Sequence, residues 1–190
     1  MPSRSVWDAR YRLAAGRPPA IDPFLGEARA FLPKFSSGSG TAVDVACGSG
    51  RHSLELARWG LRTLALDFSS QSLRICSERA EDAGLPVEVR CVDLEAPGFD
   101  LGSECFDVVA VFHYLHRPLI PALRRATRRG GIVIYKTFTL RQREFGTGPR
   151  NPDHLLVENE LAELFGGYRQ LLYRETCENE ATAALIAQRP

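Results

Sequence analysis

The stretch VDVACGSGRH, residues 43–52, decides the fold of this 190-residue chain. An apolar run ends at small residues, a loop with Gly48 and Gly50 follows, and a polar, helix-compatible segment then begins. This succession predicts a strand, a glycine loop and a helix, an arrangement that holds a nucleoside-containing ligand against bare backbone. Three ligands fit the pattern at this point: the pyrophosphate of a dinucleotide, the phosphates of ATP, and a nucleoside without phosphate.

The rest of the chain alternates predicted strands and helices. Strands are expected at 41–46, 61–67, 86–93, 106–114 and 131–138, and helices near 51–59, 69–84 and 118–128. Near-continuous apolar strands separated by helices are typical of a parallel sheet covered on both faces. After a helix at 158–167, strands at 168–178 and 181–189 follow with only a short turn between them, which predicts an antiparallel hairpin. We therefore expect an α/β fold, a Rossmann-like doubly wound sheet of seven strands, mostly parallel with an antiparallel last strand.

The length predicts a single domain over residues 1–190, long enough to bury its own core. Helices at 5–15 and 22–33 form a helical cover over 1–35, the second capped by Asp22 with Pro23 at its first position. We expect the ligand-binding core at 41–138, a long loop at 139–157, and a helix with the terminal hairpin at 158–190.

Composition narrows the function classes. The formal net charge of +1 gives no field that would attract nucleic acid or an anionic membrane. No apolar run approaches the roughly 20 residues of a membrane span, and the N-terminus lacks the apolar core of a secretory signal. The five cysteines form no C-x-x-C pair, so neither a disulfide framework nor a metal site is expected. These features predict a cytoplasmic protein without a metal.

The glycine loop fits the phosphate ligands poorly. No lysine occurs in 43–60, which excludes a P-loop for ATP. In the dinucleotide fingerprint a third glycine would stand where this chain has Ser53, and that glycine allows close helix–strand packing. An NAD-dependent oxidoreductase is therefore a weaker hypothesis than the loop alone suggests.

Three acidic residues point to a ligand without phosphate. Asp44, Asp67 and Asp93 lie at or near the predicted ends of the first three strands, and the ends of parallel strands line one crevice. Three carboxylates would repel a phosphate, but they suit a cationic nucleoside. The ligand that fits is S-adenosylmethionine. Asp44 is expected to support the loop and the ammonium end, Asp67 to accept the ribose hydroxyls, and Asp93 with Leu94 to contact adenine.

At these residues the chain resembles the class I S-adenosylmethionine-dependent methyltransferases. The resemblance rests on the pattern D-x-x-C-G-x-G, Asp67, the VDLE stretch at 92–95 and the terminal hairpin, and it covers roughly residues 41–189. Three stretches are similar to the tellurite-resistance (TehB-like) methyltransferases, namely ACGSGRHSLELARWG, the WDARY opening at 7–11 and GPRNPDHLL at 148–156. After residue 178, however, the chain passes directly into its last strand, without the insertion expected to carry the tellurite enzymes' substrate residues. This difference weighs against tellurite or selenite as the acceptor.

The candidate cofactor-binding residues come from the loop, the strand ends and the N-terminal helix. They are Trp7, Tyr11, Asp44, Ala46, Gly48, Gly50, Arg51, Asp67, Phe68, Asp93, Leu94, Phe112 and His113. In the resembled family the WDARY segment folds over the cofactor, which implies that Tyr11 closes on its methionine part. The alternative for Trp7 and Tyr11 is plain helix packing, because they lie four residues apart on one face.

The candidate acceptor residues lie after the fourth and fifth strands. They are His113, Tyr114, His116, Arg143, Arg150 and His154. His113 and His116 are three apart without a third ligand, so we interpret His113 as backing the sulfonium end, with helix capping as the alternative role for one of the two. Tyr114 and Phe112 either line the methyl-transfer pocket or belong to the core.

The loop at 139–157 is rich in cations, which favours a substrate lid over a mobile solvated loop. Arg143 and Arg150 are expected to clamp a small anionic acceptor. The arginines of RRATRR at 124–129 are interpreted as a solvated helix end rather than as an RNA-binding patch, because no aromatic residues stand among them.

The sequence thus predicts a methyltransferase that uses S-adenosyl-L-methionine and acts on a small, anionic or thiol-like acceptor. No nucleic-acid or membrane partner is expected, and the protein is expected to be a monomer or a homodimer. Two alternatives stay open: a non-catalytic nucleoside-binding module, and the NAD-dependent oxidoreductase.

Overall fold

The structure is a computed structural model that describes residues 4–13, 20–36 and 38–190. Its centre is a seven-stranded sheet in the order β3-β2-β1-β4-β5-β7-β6. The strands are β1 Gly40–Val45, β2 Leu61–Asp67, β3 Val87–Cys91, β4 Phe106–Phe112, β5 Thr127–Phe138, β6 Arg169–Cys177 and β7 Ala181–Gln188. The first five strands pair in parallel, and β7 is antiparallel to both β5 and β6. The predicted sheet, with its antiparallel last strand, is confirmed.

Six α-helices accompany the strands in the described part of the chain. They are α1 Arg4–Leu13, α2 Pro23–Ala28, α3 Arg51–Arg58, α4 Ser70–Asp82, α5 Ile120–Ala126 and α6 Glu160–Leu164. Asp22 caps α2 by accepting a hydrogen bond from the Phe24 backbone N–H, and Ser69 caps α4 by accepting one from Ser72 N–H, as their positions predict. The helix predicted over 5–15 corresponds to α1 as far as Leu13, and the last two predicted positions lie outside the described residues. The helix predicted over 22–33 is shorter and continues only as a 3₁₀ turn, Arg29–Phe31.

Two apolar layers hold the sheet. On one face α5 and α6 pack on the strands through side chains such as Leu123 and Leu161, around the fully buried Tyr135. On the other face α2 and α3 contribute Phe24 and Leu56. Because both faces are covered, the central strands are apolar throughout their length, which is the pattern that predicted a parallel sheet. None of the described helices is long and apolar enough to span a membrane.

The region of the RRATRR segment differs from the prediction. The helix ends at Ala126, and β5 starts at once with Thr127, whose hydroxyl donates to the Leu123 carbonyl at 2.9 Å. Arg128 and Arg129 therefore lie on a strand rather than on a helix end. Their partners are local: Asp107 lies 2.9 Å from Arg128, and Glu104 lies 3.8 Å from Arg129.

Candidate functional site

The glycine loop turns between β1 and α3 at the carboxyl edge of the sheet. Ala46 and Gly48 both have left-handed backbone conformations, with φ of 58° and 56°. A Cβ at Gly48 would lie 2.5 Å from the Tyr11 hydroxyl, so only glycine permits α1 to sit this close to the loop. The backbone N–H of Gly48 donates to Oδ2 of Asp67 at 2.8 Å, which ties the loop to the end of β2.

Gly50 has a different role from the predicted contact with the cofactor. Its φ is 80°, and a Cβ there would lie 2.2 Å from Sγ of Cys76 on α4. Gly50 does not line the cavity described below. The residue permits close packing of α3 against α4, so its expected contact with the cofactor is corrected to a helix-packing role.

Asp67 ends β2 and lies on the cavity wall. Its Oδ1 accepts a hydrogen bond from Ser69 N at 2.8 Å, while Oδ2 accepts from Gly48 N. Burial raises the pKa of this carboxyl, although the backbone hydrogen bonds from Ser69 and Gly48 oppose the shift. Each oxygen retains a lone pair after these bonds, so the carboxylate can still accept from two hydroxyl groups.

Asp44 is 1% exposed and does not line the cavity. Its Oδ2 accepts a hydrogen bond from the Ser53 hydroxyl at 2.6 Å, across the loop from β1 to α3. Burial raises the pKa of Asp44 to about 7, against the lowering effect of Ser53 and Arg51. The expected support of the loop agrees with this geometry, whereas contact with an ammonium group does not. The serine that replaces the third glycine of the dinucleotide fingerprint is thus the partner of Asp44.

Helix α1 covers the loop, and polar contacts hold it there. No residue of α1 is buried. Asp8 accepts hydrogen bonds from the Ser69 hydroxyl at 2.5 Å and from Gln71 N at 3.2 Å, at the start of α4. The same helix directs Trp7 and Tyr11 into the cavity, with ring centroids 6.4 Å apart. Trp7 and Tyr11 of the WDARY segment therefore line the cavity, and their contact with the cofactor stays a prediction.

A cavity of about 950 Å³ opens at the carboxyl ends of the strands, beneath α1. Most of the predicted cofactor residues line this cavity. Those from α1 and the glycine loop are Trp7, Tyr11, Ala46, Gly48 and Arg51. The strand ends contribute the remaining ones, namely Asp67, Phe68, Asp93, Leu94, Phe112 and His113. Single-ligand pockets measure roughly 300–1,000 Å³, so this volume lies at the upper end of that range.

Asp93 lies two residues beyond β3, in an exposed turn where its Oδ1 accepts from Glu95 N at 3.0 Å. Glu95 also lines the cavity and accepts from the hydroxyl of Tyr114 at 3.4 Å. Burial, and then the neighbouring Glu95 charge, raise the pKa of Tyr114. Tyr114 is therefore a neutral donor that lines the cavity and also packs against the main apolar cluster.

His113 follows β4 in a left-handed conformation with φ of 56°, while its backbone N–H still bonds to the Lys136 carbonyl at 2.8 Å. Its Nε2 lies 3.6 Å from Oδ2 of Asp22, which Lys136 approaches at 2.9 Å. His52, also in the cavity, accepts the Asp22 N–H at 3.3 Å, and burial lowers its pKa to about 3. Both histidines thus contact Asp22, His113 at the carboxylate and His52 at the backbone N–H.

The remaining candidate acceptor residues divide into two groups. His154 lines the cavity together with Gly148 and Pro149 of the long loop. His116, Arg143 and Arg150 do not line it. Nδ1 of His116 lies 3.7 Å from Glu95, and Arg143 and Arg150 are exposed. The predicted clamp by Arg143 and Arg150 is therefore corrected.

The long loop is fixed at both ends by buried or partly buried polar groups. Gln142, 2% exposed, accepts from Ala181 N at 2.7 Å and donates to the Thr147 carbonyl at 3.0 Å. Arg117 donates to the Asp153 and Leu155 carbonyls at 2.8 and 2.9 Å, and to Glu160. With the loop held in this way, Gly148, Pro149 and His154 line the cavity, whereas Arg143 and Arg150 are exposed.

Several cavity residues are not among those predicted from the sequence. They are Arg10, Cys47, Ser49, His52, Glu95, Leu115 and Phe138, besides the loop residues Gly148 and Pro149. Cys47, Ser49 and His52 stand within the glycine-loop stretch, and their positions beside identified residues were the available signal. Phe138 ends β5, as Phe112 ends β4, so the rule that parallel strand ends meet at one edge would have found it.

The residues fit S-adenosylmethionine by their chemistry. The cavity has a carboxylate with free lone pairs at Asp67, a glycine backbone closely covered by Tyr11, and aromatic walls. Among the described residues, no group of three or more histidine, cysteine, aspartate or glutamate side chains is placed to hold a metal ion.

Comparison with known proteins agrees with this geometry. Residues 42–131 match the family model described as a methyltransferase domain. A ubiquinone biosynthesis O-methyltransferase of Methylobacterium sp. is 29% identical over 121 residues, which are 61% of this chain and 48% of that protein. The corresponding enzyme of Methylococcus capsulatus is 35% identical over 101 residues, or 50% and 42% of the two chains. The chain spans about half the length of the curated relatives it matches.

Solved structures share the fold over nearly the whole chain. TehB from Haemophilus influenzae superposes with a TM-score of 0.70 at 19% identity, covering 97% of this chain and 67% of that one. A SAM-dependent methyltransferase from Aquifex aeolicus gives 0.69 at 17% identity, with complete coverage of both chains. Residues 42–131 thus match a methyltransferase domain, and the chain shares its fold with structures that include the SAM-dependent methyltransferase from Aquifex aeolicus.

Proposed function

We propose that the protein transfers a methyl group from S-adenosylmethionine to the oxygen or sulfur of a small acceptor that reacts as an anion. One observation carries the proposal: the glycine loop, the Asp67 carboxylate and the α1 aromatics meet around one cavity at the switch of strand order between β1 and β4. Ligands of open α/β sheets bind at this point.

The cavity divides into two regions by chemistry. Asp67, Asp93 and Leu94 stand on the β2–β3 side and would hold the ribose and adenine. His113, Tyr114 and Phe138 stand at the ends of β4 and β5 and would surround the acceptor, together with His52 of α3 and His154 of the long loop. When bound, the cofactor supplies a methyl group already activated on a sulfonium. The protein's task is then to orient the acceptor and exclude water, and such positioning contributes on the order of 7–11 kcal/mol.

The acceptor region favours a small organic hydroxyl or thiol over an oxyanion held by the loop arginines Arg143 and Arg150. Arg143 and Arg150 lie off the cavity, and Lys136 is engaged by Asp22 and Glu180 at 2.9 and 3.0 Å. The cavity walls are aromatic at Tyr114 and Phe138, which suits a planar acceptor. The curated relatives are named as O-methyltransferases, which supports a hydroxyl group as the acceptor.

We further propose that the partner is a small molecule, with no nucleic acid or membrane involved. Residues of α1 and of the long loop line the cavity, and the chain's net charge is +1. A non-catalytic nucleoside-binding module is the second candidate, because Asp67 and the glycine loop would serve binding alone equally well.

Isothermal titration calorimetry with S-adenosylmethionine, S-adenosylhomocysteine and NAD tests the cofactor assignment. We expect both sulfur nucleosides to bind, NAD to give no heat, and Asp67→Ala to weaken binding about 100-fold or more, equivalent to about 2.7 kcal/mol. Asp100→Ala, which removes an exposed carboxylate paired with Arg125, is the matched control and should bind as the wild type does. Binding of NAD, or undiminished binding in Asp67→Ala, would contradict the assignment.

A further inference from the structure

His113 combines three features that its position at the cavity wall does not require. Its left-handed backbone is uncommon for a residue other than glycine, and strained backbones of this kind are found mostly at functional sites. Its Nε2 faces a carboxylate. Among the described residues, its Nδ1 is the buried side-chain nitrogen or oxygen without a hydrogen-bond partner. Buried polar atoms are nearly always paired, so an unpaired one calls for an explanation.

The carboxylate that faces His113 is fixed in place and ionised. Oδ1 of Asp22 accepts from Phe24 N at 2.9 Å as the cap of α2, and Oδ2 accepts from Lys136 at 2.9 Å. Burial alone would raise the pKa of Asp22, but the contacts with His113, Lys136 and Phe24 outweigh it and lower this pKa. Burial alone would lower the pKa of Lys136, but the hydrogen bonds to Asp22 and Glu180 outweigh it and raise this pKa.

The charged groups beside His113 do not balance one another. Two carboxylates, Asp22 and Glu180, share the single ammonium group of Lys136, and the third neighbour, His52, is neutral because burial lowers its pKa to about 3. The cluster therefore presents a carboxylate toward Nε2 of His113. Nε2–H is the tautomer that directs a donor at Asp22 and leaves Nδ1 as an acceptor.

We propose that His113 is the general base of methyl transfer, with Asp22 as its positioning residue, and that the acceptor enters as a protonated hydroxyl or thiol. The proton of the acceptor moves to Nδ1 of His113, and the electron pair left on oxygen or sulfur forms the bond to the methyl group. The methyl–sulfonium bond breaks with its electron pair remaining on the cofactor's sulfur. The imidazolium then releases its proton to water after the product leaves. This inference rests on the function proposed above.

Nδ1 is sealed before the acceptor arrives, so water does not compete for it. The neighbouring ring of Phe138 lies with its centroid 5.0 Å from that of His113 and lines the cavity beside it. Entry of the acceptor therefore requires this wall to move. The 3.6 Å separation between Nε2 and Asp22 lies within ion-pair range and just beyond hydrogen-bonding distance, and catalytic contacts of this kind often shorten when the site is filled.

Two measurements test the proposal. In ¹⁵N NMR spectra of the histidine-labelled protein with S-adenosylhomocysteine, His113 should carry its proton on Nε2 and show a bare Nδ1. Asp22→Asn, which keeps the helix cap, should abolish this tautomer preference. A proton on Nδ1 in the wild type, or an unchanged tautomer in Asp22→Asn, overturns the dyad whether or not any acceptor is found.

The second measurement uses phenol, protonated at pH 8, and thiophenol, largely ionised at that pH, as acceptor probes. His113→Asn should lower kcat for phenol at least 100-fold and for thiophenol less than tenfold, because general-base catalysis is worth roughly 10²–10⁴-fold only where a proton must move. His116→Asn, off the cavity, is the matched control and should leave the ratio of the two rates unchanged. Equal losses for both probes in His113→Asn overturn the proposal. If neither probe is methylated, the NMR result decides it. Failure of S-adenosylmethionine to bind would instead contradict the proposed function alone.

Discussion

The Asp8 carboxylate accepts a hydrogen bond from the Ser69 hydroxyl over 2.5 Å, and this contact joins the cover helix α1 to the start of α4. Helix α1 buries none of its residues, so apolar packing contributes little to its position. The hydrogen bond from Ser69, aided by that from Gln71, lowers the pKa of Asp8 in spite of burial. The anchor is therefore charged at neutral pH and weakens as the pH falls through the lowered pKa.

Asp8→Ala should release α1 and with it the Tyr11 hydroxyl over the glycine loop. We expect the dissociation constant for S-adenosylhomocysteine to rise on the order of tenfold, because binding must then also order the helix. Calorimetry measures the affinity, and Trp7 fluorescence reports the helix. Trp7 emission and affinity equal to those of the wild type would show that the anchor does not hold α1.

Asp44 makes stability depend on pH in an unusual direction. Its pKa is raised by burial to about 7, above the ordinary value of 3.8. The folded protein therefore binds more protons than the unfolded chain between these values, and the free energy of unfolding falls as the pH rises from about 4 to about 7. A tenfold change in the acid dissociation constant corresponds to about 1.4 kcal/mol.

Asp44→Asn removes this titration while retaining an oxygen that can accept from Ser53. The variant should be more stable than the wild type at pH 8, and its advantage should shrink toward pH 5. Urea unfolding at both pH values measures the difference. A difference that is the same at pH 5 and pH 8 would show that Asp44 does not titrate in this range.

Gly50 and Gly84 offer a matched test of close packing. Both have left-handed backbones, with φ of 80° and 62°, but only at Gly50 would an added Cβ meet a neighbour, lying 2.2 Å from Sγ of Cys76. Gly84→Ala should cost about 1–2 kcal/mol of unfolding free energy for the backbone alone. Gly50→Ala should cost about 1–3 kcal/mol more through overpacking. Equal losses in urea unfolding would remove the packing role assigned to Gly50.

Arg117 should control the order of the long loop. It donates four hydrogen bonds to the loop and to α6, but its side chain is 37% exposed, so the electrostatic gain is reduced by solvent. Arg117→Ala should lower the free energy of unfolding by about 1–3 kcal/mol and speed proteolysis within 139–157. Arg141→Ala, which removes an exposed pair with Glu144, should change neither quantity. Unchanged proteolysis in Arg117→Ala would show that the loop is held by other contacts.

The sequence was sufficient for the sheet because strand identity depends on local patterns. Apolar runs, Ser69 as a cap and the short turn before β7 each act over a few residues, and all were placed correctly. Asp67 was also identifiable, because a strand-end acid faces the crevice in this topology. The sequence alone did not distinguish the role of Asp44 from that of Asp67. A shift of one residue along a strand decides whether a side chain faces helix α3 or the cavity.

The acceptor region was harder to predict because its residues meet over long sequence distances. Asp22 and Lys136 are 114 residues apart, and nothing in either segment indicates the other. Arg143 and Arg150 were expected in the cavity from their charge. Their loop is instead oriented by Gln142 and Arg117, whose partners are mostly backbone carbonyl and N–H groups, and such contacts leave no pattern in the sequence.

The most direct test of the account is methyl transfer itself. The protein is incubated with S-adenosylmethionine labelled in its methyl group and a whole-cell extract, which is then separated into small-molecule, protein and nucleic-acid fractions. Asp67→Ala serves as the blank. The account predicts label in the small-molecule fraction above that blank. Label in the protein or nucleic-acid fraction, or no label above the blank from a protein that binds the cofactor, would contradict it, and the latter result would favour the non-catalytic binding module.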